Sequence, residues 1–230
     1  MTYLVVSDVH ANYPALEAVK SDAPDCEGML FCGDAVGLMG FPQEVVKTLQ
    51  QEAEHAVKGN HDISVLEYHA GHVNSEVLSD FEYESTHEAL SESQKEWVSS
   101  KQSYDEVTVN GNSVLMAHAK PFLGMETGLE KRNGGLRKRD YVRVGSKLAD
   151  NFDLVLVGHT HAPAVVDCSG FGHDVVIANP GSTGQPMGEA DYALLETDPV
   201  EITLESCSYK EDLVTDRLAE LEVPEEWWRY

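Results

Sequence analysis

The chain has 230 residues, 42% of them hydrophobic, and its 40 acidic against 16 basic side chains give a formal charge of -24. The apolar share sustains a real core, no run approaches the roughly 20 apolar residues of a membrane span, and the acidic excess disfavours general binding to long nucleic acids. Length and the lack of a Pro/Gly/Ser-rich linker favour one domain over residues 1–230. So acidic a surface suits a salt-rich cytoplasm, where ions screen its self-repulsion. Met1-Thr2-Tyr3 runs into Leu4-Val5-Val6 without a basic leader segment, so a cytoplasmic location is expected. Cys26, Cys32, Cys168 and Cys207 show no paired spacing and read as buried free thiols.

Tyr3 to Ser7 reads as a strand, followed by Asp8-Val9-His10 and a helix from about Pro14 to Lys20. If the chain stays extended, Asp8 and His10 share one face and can reach a common point beyond the strand. Taken alone, the pair also fits a helix cap beside a surface histidine. Gly28 to Cys32 is a second strand, ending in Gly33-Asp34, and Phe41-Pro42 opens a helix through about Gln51 with Val45, Val46 and Leu49 as its apolar stripe. His55 to Lys58 reads as a third strand, stopping at Gly59-Asn60-His61-Asp62. Those residues suit either an ordinary turn or a ligand amide beside an imidazole that can bind, donate a proton or contact phosphate.

From Ile63 to about Gln102 the chain is polar and largely helical, anchored by Trp97-Val98; His69, His72 and His87 read as surface histidines, and Asp80 to Glu88 as a solvated acidic face. Glu106 to Val109, Asn110-Gly111 and Ser113 to Ala117 spell a β-hairpin whose second strand ends at His118. Lys131, Arg132, Arg137, Lys138, Arg139 and Arg143 gather six of the sixteen basic residues, either balancing nearby carboxylates or forming a positive rim for a phosphorylated substrate. The apolar run Asp153 to Val157 ends in Gly158-His159-Thr160-His161. Ala164 to Cys168 and Asp174 to Ala178 read as an antiparallel pair, then come Asn179-Pro180-Gly181-Ser182, strands near Tyr192 to Glu196 and Ile202 to Ser206, and a helix from about Glu211 to Leu221.

Five strand ends thus carry Asp8/His10, Asp34, Asn60/His61, His118 and His159/His161. Carboxylates, imidazoles and one amide suit first-row divalent ions better than Mg²⁺ or Ca²⁺, and so many donors exceed the needs of one ion. In order, spacing and strand-end context the series resembles the signature of the calcineurin-like metallophosphoesterase superfamily. Asn179-Pro180-Gly181-Ser182 and Gly184-Gln185-Pro186 are similar to its small single-domain prokaryotic and archaeal phosphodiesterases.

The resemblance implies an α+β fold, a four-layer α/β/β/α sandwich of two mixed sheets. It implies one ion on Asp8, His10, Asp34 and His161 and another on Asp34, Asn60, His118 and His159, with Asp34 bridging. Manganese is the leading candidate, with iron, nickel, cobalt or zinc as alternatives. His61 would contact the phosphoryl group or protonate the leaving group, oriented by Asp62. The implied reaction is hydrolysis of a phosphodiester, nucleotides being among the candidate substrates, by in-line attack of a metal-bridging hydroxide, since two ions roughly 3.5–4 Å apart both neutralise the ester and acidify water. Alternatives are a phosphomonoesterase or protein phosphatase, and a non-catalytic scaffold that keeps the fold. Two departures stand out: Gly37 occupies the place of a second acid in Gly-Asp-x-x-Asp, and Met187 that of an arginine after Gly-Gln-Pro. Arg137 and Arg139 are the candidate substitutes for that arginine.

Overall fold

Strands such as Leu4-Val5-Val6 and Leu154-Val155-Leu156-Val157 lack the polar alternation of a half-exposed sheet, so both of their faces must be covered. The computed structural model, which describes residues 1–68, 81–119 and 137–223, shows how. One sheet runs β10 (Val200–Ser208), β9 (Glu189–Thr197), β1 (Thr2–Val6), β2 (Gly28–Phe31), β3 (Ala53–Ala56). The other runs β4 (Tyr104–Val109), β5 (Asn112–Ala117), β6 (Leu154–Val157), β8 (Val176–Asn179), β7 (Ala164–Asp167). Each has three parallel strands, β1-β2-β3 and β5-β6-β8, and antiparallel strands at its margins.

Val5 and Leu30 of the first sheet meet Met116, Leu154 and Leu156 of the second in a shared central core. The alternate residues Leu4, Val6, Met29 and Phe31 point outward, to a core that includes Leu16, Val19, Val45, Leu49 and Val98. These come from α1 (Tyr13–Asp22), α2 (Pro42–Glu52) and α5 (Glu92–Ser100). Val155, Val157 and Ile177 do the same beneath Tyr141, Val144 and Leu148 of α6 (Tyr141–Leu148). The result is the expected four-layer α/β/β/α sandwich, produced by strict alternation along strands with two buried faces.

Local signals set the ends of the elements. Asn12 caps α1 by accepting the amide of Ala15, Pro42 opens α2, and Ser91 with Gln94 forms a capping box on α5. Asn110 and Gly111, both at positive φ, make the hairpin turn. β3 lies two residues earlier than expected because α2 ends at Glu52 and the chain pairs with β2 at once, through an irregularity between Met29 and Leu30. α3 (Asn60–Tyr68) and α4 (Thr86–Ala89) fill the helical region, and α7 (Asp212–Glu220) closes the described chain. His69, His72, Asp80, Lys131 and Arg132 lie outside the described residues. His87 is half-buried, with Nδ1 3.1 Å from the Val65 carbonyl, so it is tied to α3 rather than free in solvent. Cys32 and Cys168 are buried and Cys26 and Cys207 half-buried, all as thiols. No helix among the described residues is long and apolar enough to cross a membrane.

Leu156 is fully buried between the sheets, whereas Leu213 is exposed. Leu156→Ala should lower unfolding free energy by about 2–5 kcal/mol and Leu213→Ala by under about 0.5 kcal/mol in urea denaturation. Equal losses would contradict the placement of the core.

Candidate metal centre

Parallel strands in both sheets end at one seam, and the polar residues follow those ends: Asp8 and His10 after β1, Asp34 after β2, Asn60 after β3, His118 after β5, His159 and His161 after β6. The way Asp8 and His10 converge differs from the extended-chain expectation. The strand stops at Val6, and Asp8, His10 and Ala11 take φ of 53°, 50° and 58°. Asp34, His159 and His161 are also left-handed, at 59°, 66° and 53°. Side chains therefore curl back over the strand ends at a conformational cost of about 1–3 kcal/mol each, sustained only by the surroundings.

Glycines make the approach possible. A Cβ on Gly59 would collide with the Asp34 carboxylate, and one on Gly158 with Ser7 Oγ and Asp8 Oδ2. Gly33 takes φ of 99°, beside the His118 ring.

Among the described residues three sets of donors form, each with candidate ligand atoms within 4.8 Å of one another: Asp8, His10, His161; His10, Asp34, His61; and Asp34, His118, His159. Asn60 Oδ1 joins the third, 3.1 Å from His118 Nε2 and 2.7 Å from His159 Nδ1. Asp34 belongs to two sets, and His61, expected outside the direct ligands, lies beside His10 and Asp34.

Asp8 Oδ2 accepts from Ser7 Oγ and the His159 amide, but its buried Oδ1 has no hydrogen-bond partner. Around Oδ1 stand His161 Nε2 at 3.2 Å, His10 Nε2 at 3.8 Å and His118 Nε2 at 4.0 Å. Burial drives the pKa of His10 down to about 3, so its ring is neutral and offers a lone pair. Burial alone would raise Asp8, yet the imidazoles of His161, His118 and His10 outweigh it and hold the carboxyl below its usual value. Asp34 is likewise lowered against burial, chiefly by His118, which Asp34 in turn raises to about 9. An anionic oxygen without a hydrogen bond, ringed by imidazole nitrogens, is what a divalent cation would satisfy, and the residues fit one.

Asp62 behaves differently from the expected orienting partner of His61. Its buried carboxylate accepts the amides of Asp34, Ala35, Val36 and Gly59 at 2.8–3.1 Å, gathering the Asp34 loop. Burial and the Asp34 charge push it up to about 7. His61 Nδ1 is instead buried without a partner, against Gly37, where a Cβ would come within 2.9 Å. Met187 packs with Ala11, Met39, Val214 and Leu218 beneath α7. Arg137 and Arg139 are exposed at the entrance to α6, which is anchored on the outer face of the second sheet, and no contact among the described residues joins either to the ligands.

A model of the calcineurin-like phosphoesterase superfamily domain matches residues 1–199. A protein of Methanocaldococcus jannaschii is 27% identical over 96% of this chain and 93% of its own length. A metallophosphoesterase structure from Sphaerobacter thermophilus is similar with a TM-score of 0.78 and 24% identity, covering 99% of this chain and 96% of that one. A Pyrococcus horikoshii protein matches at TM-score 0.77 and 18% identity, over 98% and 95% of the two chains.

Gly59→Ala should displace Asp34 and weaken Mn²⁺ uptake in equilibrium dialysis by at least about tenfold. Gly170→Ala, with nothing within 4 Å of the added carbon, should leave uptake unchanged. Equal uptake by both variants would show that Asp34 does not bind the ion.

Proposed function

The chain belongs to the calcineurin-like phosphoesterase superfamily, and from that premise we propose that it hydrolyses phosphodiester bonds of small phosphorylated substrates, nucleotides among them, with two divalent transition-metal ions, Mn²⁺ first. The observation that carries the proposal is the buried Asp8 Oδ1, unpartnered among imidazole nitrogens. Asp8, His10, Asp34 and His161 would hold one ion, and Asp34, Asn60, His118 and His159 the other. When bound, such a pair neutralises the ester's negative charge and lowers the pKa of water toward neutrality.

The protein's own groups do the rest. Asp8 and Asp34 stay ionised at neutral pH because the imidazoles around them offset their burial. His61 is kept neutral by burial, and its Nδ1 faces no acceptor, which favours the proton on Nε2. That N–H is the group offered to the phosphoryl or leaving-group oxygen, whose expulsion as a free alkoxide would otherwise be slow. The proposed role of Asp62 is to fix the loop carrying Asp34 through backbone amides.

With Mn²⁺ and a dinucleotide, whose leaving group is an alkoxide, His61→Ala should retain two ions and lose about 10²–10⁴-fold in turnover, and lose less on the diester bis-p-nitrophenyl phosphate, whose nitrophenolate leaves unaided. Asp34→Asn should lose metal and activity together. Equal metal depletion in both variants would refute the separate role of His61. A faster rate on p-nitrophenyl phosphate than on the diester would assign the site to monoesters, and two bound ions with no hydrolysis of either would assign the chain to scaffolding.

A further inference from the structure

β8 ends in the second sheet at Asn179 and β9 begins in the first at Glu189, so the chain between them bridges the two sheets. This connection is tied to the ligand-bearing loops on each side. Asn179, fully buried, donates through Nδ2 to the Gly158 carbonyl at 2.9 Å and to Thr160 Oγ1 at 3.1 Å, and its Oδ1 accepts the Gly181 amide at 2.8 Å. Those first two acceptors flank His159, and Thr160 precedes His161. On the other side, buried Ser182 Oγ donates to the Asp8 carbonyl at 2.9 Å while accepting the Gln185 amide at 2.9 Å. The amides of Thr183 and Gly184 donate to the carbonyls of Ser7 and Asp8, both at 2.9 Å.

The loops so held are the strained ones. Asp8, His10, His159 and His161 all have positive φ, a conformation that relaxes unless neighbouring groups fix it. None of the hydrogen bonds of Asn179 or Ser182 uses a candidate ligand's own side-chain donor atom. Both residues act on backbone or on Thr160, leaving the coordinating atoms free. Their division of labour is also clear: Ser182 grips the loop of Asp8 and His10, and Asn179 grips the turn that gives one histidine to each ion.

We propose that Asn179 and Ser182 are positioning residues that set the separation between the Asp8–His10 loop and the His159–His161 turn, and thereby the affinity of the ion pair. The inference rests on the two-ion reading of the site above. Ser182 governs the ion held by Asp8, His10 and His161; Asn179 governs both ions.

The test is calorimetric titration of the full chain with Mn²⁺, with electron paramagnetic resonance of the coupled pair, on wild type, Ser182→Ala, Asn179→Ala and Thr160→Val. Circular dichroism identifies folded variants. Ser182→Ala should keep one wild-type affinity and lose about 10- to 100-fold at the other, so that the coupled signal is replaced by that of isolated Mn²⁺ at two equivalents. Asn179→Ala should weaken both steps, and Thr160→Val, which removes one of the two acceptors of Asn179, should weaken both by less. If Asn179→Ala does not fold, Thr160→Val and Ser182→Ala decide the matter. Folded variants that melt earlier but titrate within about twofold of wild type would reduce both residues to fold stability alone and overturn the inference. A wild-type chain that binds no pair would overturn the two-ion reading itself.

Discussion

Two carboxylates, Asp8 and Asp34, are withdrawn from water at the seam between two sheets, and one oxygen of Asp8 has no hydrogen bond at all. An ionised carboxylate in such a place costs several kcal/mol unless positive charge compensates it. The imidazoles around the pair offset that cost and hold both carboxyls below their usual values, with His118 raised by Asp34 in return, yet Asp8 Oδ1 is left without a hydrogen bond. The surrounding structure holds that oxygen and the imidazoles around it in place, as the proposed cation site requires. Left-handed turns aim the ligands, and glycines let loops meet without Cβ collisions. Asp62 draws four amides around the Asp34 loop.

The scaffold achieves the convergence by placing two sets of parallel strand ends opposite each other. The first sheet presents Asp8, His10, Asp34 and Asn60, and the second presents His118, His159 and His161. Among the described residues, two of the three donor sets draw on both sheets, and the third, His10, Asp34 and His61, on the first alone. The packing of Val5 and Leu30 against Met116 and Leu156 is therefore part of the site, because it fixes how far apart the two half-sets stand. At the margin, α7 packs Val214 and Leu218 on Ala11 and Met39, while Arg217 donates to the Gly40 carbonyl. The loops after β1 and β2 are thus held from outside as well as from within.

Much of this was legible in the residues. Apolar runs ending in Asp, His or Asn located the strands together with the polar residues that gather at the seam, because a buried strand and its polar terminus are both local features. The Asn110-Gly111 turn and Pro42 at the start of α2 were legible for the same reason. Less legible was anything that depends on backbone shape across the seam. Asp8 and His10 were expected together by extended-strand periodicity, but they meet through left-handed turns that no side-chain pattern encodes. Asp62 looked like a partner for its neighbour His61, yet three of the four amides it accepts lie 26–28 residues upstream. Arg137 and Arg139 drew attention as cations in an acidic chain, but their position follows from the apolar stripe of α6. The contacts of Asn179 were hidden because both acceptors lie about twenty residues upstream; the one local hint was a buried-strand end running into Pro180-Gly181.

The central proposal is that this seam would take two divalent cations, each held in part by Asp34. Crystals equilibrated with Mn²⁺ and measured at its absorption edge test it most directly. The account predicts two anomalous peaks, one among Asp8, His10, Asp34 and His161, the other among Asp34, Asn60, His118 and His159. A single peak, or peaks only at surface carboxylates, would contradict it.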